Sequence, residues 1–198
     1  MVQVTPMTPA AYRRERWRND GGWTTEIARG GDADFDWRAS IADIETDGPF
    51  SPFPGIDRTL LLLGGNGIEL DIDSVAKKLT KRFDQLRFPG EAAVHCRLLA
   101  GPTRDFNVMV RRGAVQAQVV ARPIVGSMLV FPQADTEWLV YVHAGSLKAR
   151  VEDSVHAAGA HDCLHVRFAS SPAPRLLLEG SGELVLVRLS FSPGTGRD

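Results

Sequence analysis

The chain has 198 residues with 24 acidic against 23 Lys and Arg side chains, a formal net charge of −1, and a hydrophobic fraction of 43%. Near-neutral charge argues against electrostatic capture of nucleic acid, and the apolar fraction is too high for a disordered chain. Nineteen glycines and twelve prolines punctuate short apolar runs, a pattern that suits strands and turns better than a helical bundle.

In chain order, residues 1–11 lack a basic segment followed by a continuous apolar stretch, so no secretory signal is expected and the chain is placed in the cytoplasm. Two short, charged segments, 9–16 and 74–83, are compatible with helix. Strands are predicted at 36–44, 59–63, 67–72, 94–99, 106–111, 115–121, 128–131, 138–142, 147–151, 163–168, 175–178 and 183–191. The longest apolar runs, 60–63 and 138–142, fall far short of the roughly 20 residues that span a bilayer, so no membrane association is expected. Cys96 and Cys163 lie far apart without a Cys-x-x-Cys. They read as small buried side chains, with a disulfide or thiolate ligands as the alternatives.

Sliding the sequence against itself by 79 residues superposes 59–72 on 138–151: Leu60 on Leu139, Leu61 on Val140, Ile68 on Leu147 and Ile72 on Val151. The same offset later sets Leu98 on Leu177 and Val108 on Val187. Such self-similarity marks a duplicated unit. The repeated phrase of apolar run, glycine turn and alternating strand resembles part of cupin domains. The expected fold is therefore all-β: a bicupin of two tandem jelly rolls in one compact body with few short helices, the units covering 1–113 and 114–198.

A cupin usually holds a metal on imidazoles at alternate strand positions with a carboxylate. Here the positions before the turn read Phe53-Pro54-Gly55-Ile56-Asp57-Arg58 and Phe131-Pro132-Gln133-Ala134-Asp135-Thr136, without histidine, and His95 stands alone. His161, Cys163 and His165 alternate and are the one ligand-like spacing; the other reading is an ordinary outer strand. No metal, cofactor or catalytic residue is assigned.

Polar residues cluster in three phrases of the first unit: 17–27, 35–58 and 101–111. They combine flat aromatic walls, amide and hydroxyl donors, and guanidinium groups that grip a carboxylate with paired hydrogen bonds. Alternation puts Arg38, Ser40 and Ala42 on one face of their strand and Trp37, Ala39 and Ile41 on the other.

These phrases, Trp-Arg-Asn-x-Gly-Gly-x-Thr-x-Glu-Ile, Phe-x-Trp-Arg-x-Ser-x-Ala, Asp-Gly-Pro-Phe-Ser-x-Phe-Pro-Gly-x-Asp-Arg and Gly-Pro-Thr-Arg-Asp-Phe-Asn-Val-Met-x-Arg-Arg, resemble the HutD/Ves family of bacterial proteins over about residues 12–113. The resemblance implies a bicupin without the usual cupin metal ligands and a link to histidine utilisation. It carries Trp17, Asn19, Thr24, Glu26, Trp37, Arg38, Ser40, Phe50, Arg58, Phe106, Asn107, Met109 and Arg111 as ligand-site positions. One departure is Asp20, which stands where the family has the first of three glycines. An aspartate tolerates a left-handed backbone there, but would crowd and repel an anion if the glycine served a ligand's approach.

The expected function is non-catalytic binding of a small carboxylate metabolite, such as urocanate or formylglutamate, in the regulation of histidine catabolism. The alternative is an enzyme: a metal-independent isomerase or lyase-like cupin using Glu26 or a perturbed Asp, or a metal-dependent cupin at His161, Cys163 and His165. A further expectation is that the second unit, with fewer polar motifs and more bare strand, including 138–142, is an interaction surface through which the protein forms a homodimer.

Overall fold

A computed structural model describes residues 2–31, 34–169 and 172–192. Its strands are β1 (Val2–Met7), β2 (Arg13–Arg16), β3 (Gly22–Gly30), β4 (Trp37–Ile44), β5 (Gly48–Pro49), β6 (Ile56–Gly64), β7 (Ile68–Ile72), β8 (Val75–Leu79), β9 (Gln85–Pro89), β10 (Val94–Leu98), β11 (Thr103–Arg111), β12 (Val115–Val130), β13 (Thr136–Val151), β14 (Ser154–Gly159), β15 (Cys163–Phe168) and β16 (Leu176–Phe191). One 3-10 turn, Pro9–Ala11, is the helical element among the described residues. The chain is all-β.

Two units emerge. Tyr12–Ala114 forms one, with 32–33 outside the described residues; Met1–Ala11 with Val115–Asp198 forms the other, of which 1, 170–171 and 193–198 lie outside the described residues. The first eleven residues thus depart from the expected 1–113 unit. Val2 and Val4 of β1 run antiparallel to β15 (Val2 beside Phe168, Met7 beside Cys163) and pack on the second unit's core. Period-2 burial of these short apolar side chains, not proximity in sequence, decides where the segment goes.

The Tyr12–Ala114 unit has two sheets, β2-β3-β4-β11-β6-β9 and β5-β10-β7-β8. Its core includes Ile44, Leu60, Leu62, Ile68, Leu70, Val94 and Cys96. In the other unit the order is β1-β15-β13-β16-β12 with β14 on β13, and β12, β13 and β16 each run 16 residues. β13 pairs with β15 over its first part and with β14 over its last, as β6 pairs with β9 and β7 with β8. The pairs 115–121 and 128–131, 138–142 and 147–151, and 175–178 and 183–191 therefore each belong to one long strand rather than two.

The pairings also sharpen the repeat. Ile68, Leu70 and Leu79 match Leu147, Ala149 and Ala158, all core residues, at the 79-residue spacing. In β6, however, Leu60 and Leu62 enter the first core whereas Val140 and Val142 enter the second, a spacing of 80 (60 to 140). Matching Leu60 to Leu139 would turn every side chain of the strand to the opposite face. The spacing changes because the glycine-rich turn at Gly64, Gly65 and Gly67 is one residue longer than the bulged stretch that carries β13 from Val142 to Leu147.

The expected helix at 74–83 is instead a hairpin. Ile72 pairs with Val75 across Asp73 and Ser74, both at positive φ (48° and 69°), the two-residue turn whose twist matches the flanking strands. At 9–16 the 3-10 turn gives way to β2, an exposed edge strand of four charged residues paired to β3. Charged edge strands show no hydrophobic alternation, so the periodicity carries no sign of them. The strand at 138–142 is central in its sheet, with Leu139 to Val142 at 0–1% exposure.

Candidate functional site

Strand alternation builds the site. On β4, Arg38, Ser40 and Ala42 face one way; on the neighbouring β11, Asn107 and Met109 share that face, as does Arg58 on β6 beside Met109. These side chains line a cavity of about 710 Å³ whose rim is formed by Glu15 to Asn19, Thr24 and the Pro49–Phe53 loop. Four arginines (16, 18, 38 and 58) meet one carboxylate, Glu15, on this lining, and Glu15 is exposed and paired with Arg13. Trp17 Nε1 donates to Thr24 Oγ1 at 2.8 Å, and its ring meets Phe50 edge-on at 6.2 Å, so one aromatic wall is held by its polar tip.

Arg58 is the least usual residue of the site. It is 6% exposed and its guanidinium sits 5.0–5.6 Å from the rings of Phe50, Phe53 and Phe88. One Nη donates to Asn107 Oδ1 at 3.1 Å; Nε is buried with no hydrogen-bond partner. Burying a cation costs several kcal/mol. Three ring contacts at roughly 0.5–2 kcal/mol each and one hydrogen bond to a neutral amide recover part of that. Burial accordingly pushes the Arg58 pKa down to about 10, opposed by Asp105 and reinforced by Arg38. An anion in the cavity would supply Arg58 with the direct charged acceptor that neutral Asn107 does not.

Behind Asn107 lies Asp105, fully buried. Asn107 Nδ2 donates to Asp105 Oδ1 at 2.8 Å, while Oδ2 has no hydrogen-bond partner. Burial raises the Asp105 pKa to about 7, Arg58 and Asn107 pull it back, and Asp43 adds to the rise. A bulge between Arg104 and Asp105 ends the regular β6 pairing at this point.

Of the thirteen positions expected at the site, nine line the cavity: Trp17, Asn19, Thr24, Arg38, Ser40, Phe50, Arg58, Asn107 and Met109. Glu26 stands one step back, its Oε2 2.7 Å from Arg38 Nε but off the N–H direction, an ion pair rather than an aligned hydrogen bond. Trp37 and Phe106 do not join them. Each is adjacent in sequence to a lining residue and so, by the period of the strand, is buried on the opposite face. Arg111 ends β11 tied to Asp36 at 2.8 Å and to the carbonyl of Asp34. Asp105, Phe53 and Phe88 are the additions. The parity of Asp105 with Asn107 and Met109 was the available signal for it, whereas the ring contacts of Phe88 depend on β9 pairing, which no local pattern shows.

Asp20 adopts φ 56°, the left-handed conformation of a turn closed by its N–H to the Trp17 carbonyl. Its carboxylate points to solvent, 85% exposed, beside Arg16, and is absent from the cavity lining. The backbone role expected of the family glycine is thus the one Asp20 fills.

The alternating His161, Cys163 and His165 do not converge. His161 sits in a turn at φ 72° with Nδ1 3.0 Å from the Tyr141 hydroxyl, Cys163 is buried with its thiol pKa pushed up by desolvation, and His165 Nε2 lies 2.7 Å from Glu137 Oε2. Among the described residues no group of three or more His, Cys, Asp or Glu is placed to hold a metal. Both cysteines are free and buried, and burial pushes the Cys96 thiol to about 12. Because Glu137 and His165 are 6% and 5% exposed, His165→Ala is expected to cost about 3 kcal/mol in denaturant unfolding by leaving Glu137 buried beside a more distant Arg167 at 3.8 Å.

The residues of the site are not repeated in the other unit among the described residues. In the paired ladders, Arg58, Asn107 and Asp105 correspond to Trp138, Leu186 and Leu184. By the same pairing Met109 corresponds to Arg188, so the two units place their interior arginine on different strands.

The family model of HutD matches residues 9–186. The chain belongs to the HutD family. A 21.2 kDa protein of Pseudomonas putida, named for its place in the hutC 3′ region, is 33% identical over 192 residues, 96% of this chain and 98% of that one. The Ves protein of Citrobacter koseri is 32% identical over 90% of each chain. Among solved structures, HutD from Pseudomonas fluorescens SBW25, in a formate condition, superposes with a TM-score of 0.80 at 32% identity over 96% of this chain and all of that one. A conserved protein of unknown function from Pseudomonas aeruginosa PAO1 gives a TM-score of 0.89 at 27% identity over 96% of this chain and 100% of the other. Lactobacillus farciminis oxalate decarboxylase, at 10% identity and a TM-score of 0.67, shares the cupin fold alone, over 95% of this chain and 86% of that one. No helix among the described residues of this HutD-family chain is long and apolar enough to cross a membrane.

Proposed function

We propose that this HutD-family protein binds a small carboxylate metabolite without turning it over, and through that binding modulates histidine catabolism. The observation that carries the reading is Arg58: a guanidinium buried among three phenylalanine rings, short of hydrogen-bond acceptors, on the lining of a cavity with three further arginines. Such a group recognises a carboxylate by charge and planarity while the rings grip its apolar remainder. The name of the P. putida relative, taken from the hutC region, supports urocanate or formylglutamate as the first ligands to try.

The enzymatic alternative draws less support. General acid–base work needs a carboxylate within hydrogen-bond reach of the substrate. Here Glu26 is engaged with Arg38, Glu15 with Arg13, and Asp105 stands behind Asn107 rather than on the lining. Calorimetric titration with urocanate and N-formyl-L-glutamate, on the native protein and on Arg58→Ala, tests the proposal. Binding to neither compound, or unchanged binding by the variant, would overturn it; consumption of either compound would move it to the enzymatic reading.

A further inference from the structure

The interior of the first unit holds an acid that the carboxylate-binding reading leaves without a role. Asp105 is the most buried charged residue of that interior, at 0% exposure. It is joined to the cavity by one neutral side chain: Arg58 donates to Asn107 Oδ1 at 3.1 Å and Asn107 Nδ2 donates to Asp105 Oδ1 at 2.8 Å. The amide thus spans cation and acid with its acceptor to the one and its donor to the other. We propose that Asp105 is the proton site of a proton-linked anion switch, in which a carboxylate bound at Arg58 and a proton bound at Asp105 favour one another. This rests on the reading of the cavity as a carboxylate site.

The physical argument is one of charge balance in a dry interior. With Asp105 ionised, Arg58 already has a counter-charge across Asn107, and an incoming carboxylate adds a second anion to a buried cation. With Asp105 protonated, the ligand is the counter-charge. Two anions sharing one desolvated cation disfavour each other, so binding the ligand raises the affinity of Asp105 for its proton, and by linkage the proton raises the affinity for the ligand by the same factor.

The groups facing Asp105 from each side are consistent with its titrating near neutrality. From β6 comes Arg58, which favours the ionised form; Asp43 of β4, on the opposite face of the sheet and held there by Arg104 at 2.6 Å and Arg14 at 3.3 Å, opposes it through space. From β10 comes the Cys96 thiol, neutral in this range. Burial outweighs the rest and places the Asp105 pKa at about 7. Among the described residues, no histidine lines the cavity.

The test is calorimetry with N-formyl-L-glutamate, whose carboxylates ionise far below the range used. If binding raises the Asp105 pKa by one unit, affinity falls about fivefold from pH 6 to pH 8, and roughly 0.4 proton is taken up at pH 7, read from the difference between HEPES and Tris buffers. D105N is expected to bind with the same affinity at both pH values and without proton uptake. Proton uptake in the native protein needs no variant, so it stands as a test even where D105N fails to fold. Binding without proton uptake and with equal affinity at pH 6 and 8 overturns the switch and leaves the carboxylate site standing. Persistence of the pH dependence in D105N overturns it as well, and binding at neither pH overturns both.

Discussion

Arg58→Ala is expected to weaken carboxylate binding by about 2–4 kcal/mol, roughly 30- to 1,000-fold, measured by calorimetry at a fixed pH. The size follows from burial. A guanidinium at the surface would lose little on truncation because water screens it, whereas at 6% exposure Arg58 is a desolvated partner whose loss leaves the ligand charge against Phe50 and Phe53. Arg58→Lys should recover only part of the loss, since an ammonium keeps the charge but not the planar fork or the ring stacking. The effect on folding is expected to be smaller than the effect on binding. Removing Arg58 relieves a buried cation, and burial favours the neutral form of the Asp105 left behind. A variant that lost binding and stability in equal measure would assign Arg58 to the scaffold.

The second large effect is on folding. Gly145 of β13 lies opposite Gly182 of β16 beside the bulge between Val142 and Ala144. A Cβ on Gly145, which has φ 85°, would stand 2.0 Å from the Ser181 carbonyl oxygen, and one on Gly182 would stand 1.9 Å from that of Ala144. Neither oxygen can withdraw without breaking the ladder. Gly145→Ala is expected to destabilise by more than about 4 kcal/mol, seen as loss of soluble protein or a large drop in the denaturant midpoint. Gly113→Ala provides the comparison. Its φ is 80°, yet nothing lies within 4 Å of the added methyl, so only the backbone cost of about 1 kcal/mol applies. Equal losses in the two variants would mean that left-handed geometry, not close approach, sets the requirement at Gly145.

The fold and the site were legible to different degrees, for physical reasons. The strand at 163–168 has its expected bounds to the residue because it is a compact, largely apolar run between turn residues, with five of its six side chains buried. β2 and β8 show no such run, because their edge positions are charged and exposed throughout most of their length. The duplication was visible as a repeat of apolar runs, but its register in β6 was not, since Leu60 to Leu63 are all apolar and either parity looks buried. Within the site, residue type and motif pointed to Arg58 and Asn107. The strand period already excluded Trp37 and Phe106 from the face that carries their neighbours. What no pattern could supply is depth. Asp105 reads like any acid in a loop-flanking phrase until β10 closes over it and turns an ordinary carboxylate into one that titrates near neutral pH.

The most direct test of the central claim is a crystal structure of the protein grown with N-formyl-L-glutamate. The account expects a carboxylate of the ligand within about 3.2 Å of a guanidinium nitrogen of Arg58, with its chain against Phe50 and Phe53. A ligand bound elsewhere, with Arg58 still held only by Asn107 and its three rings, would contradict it.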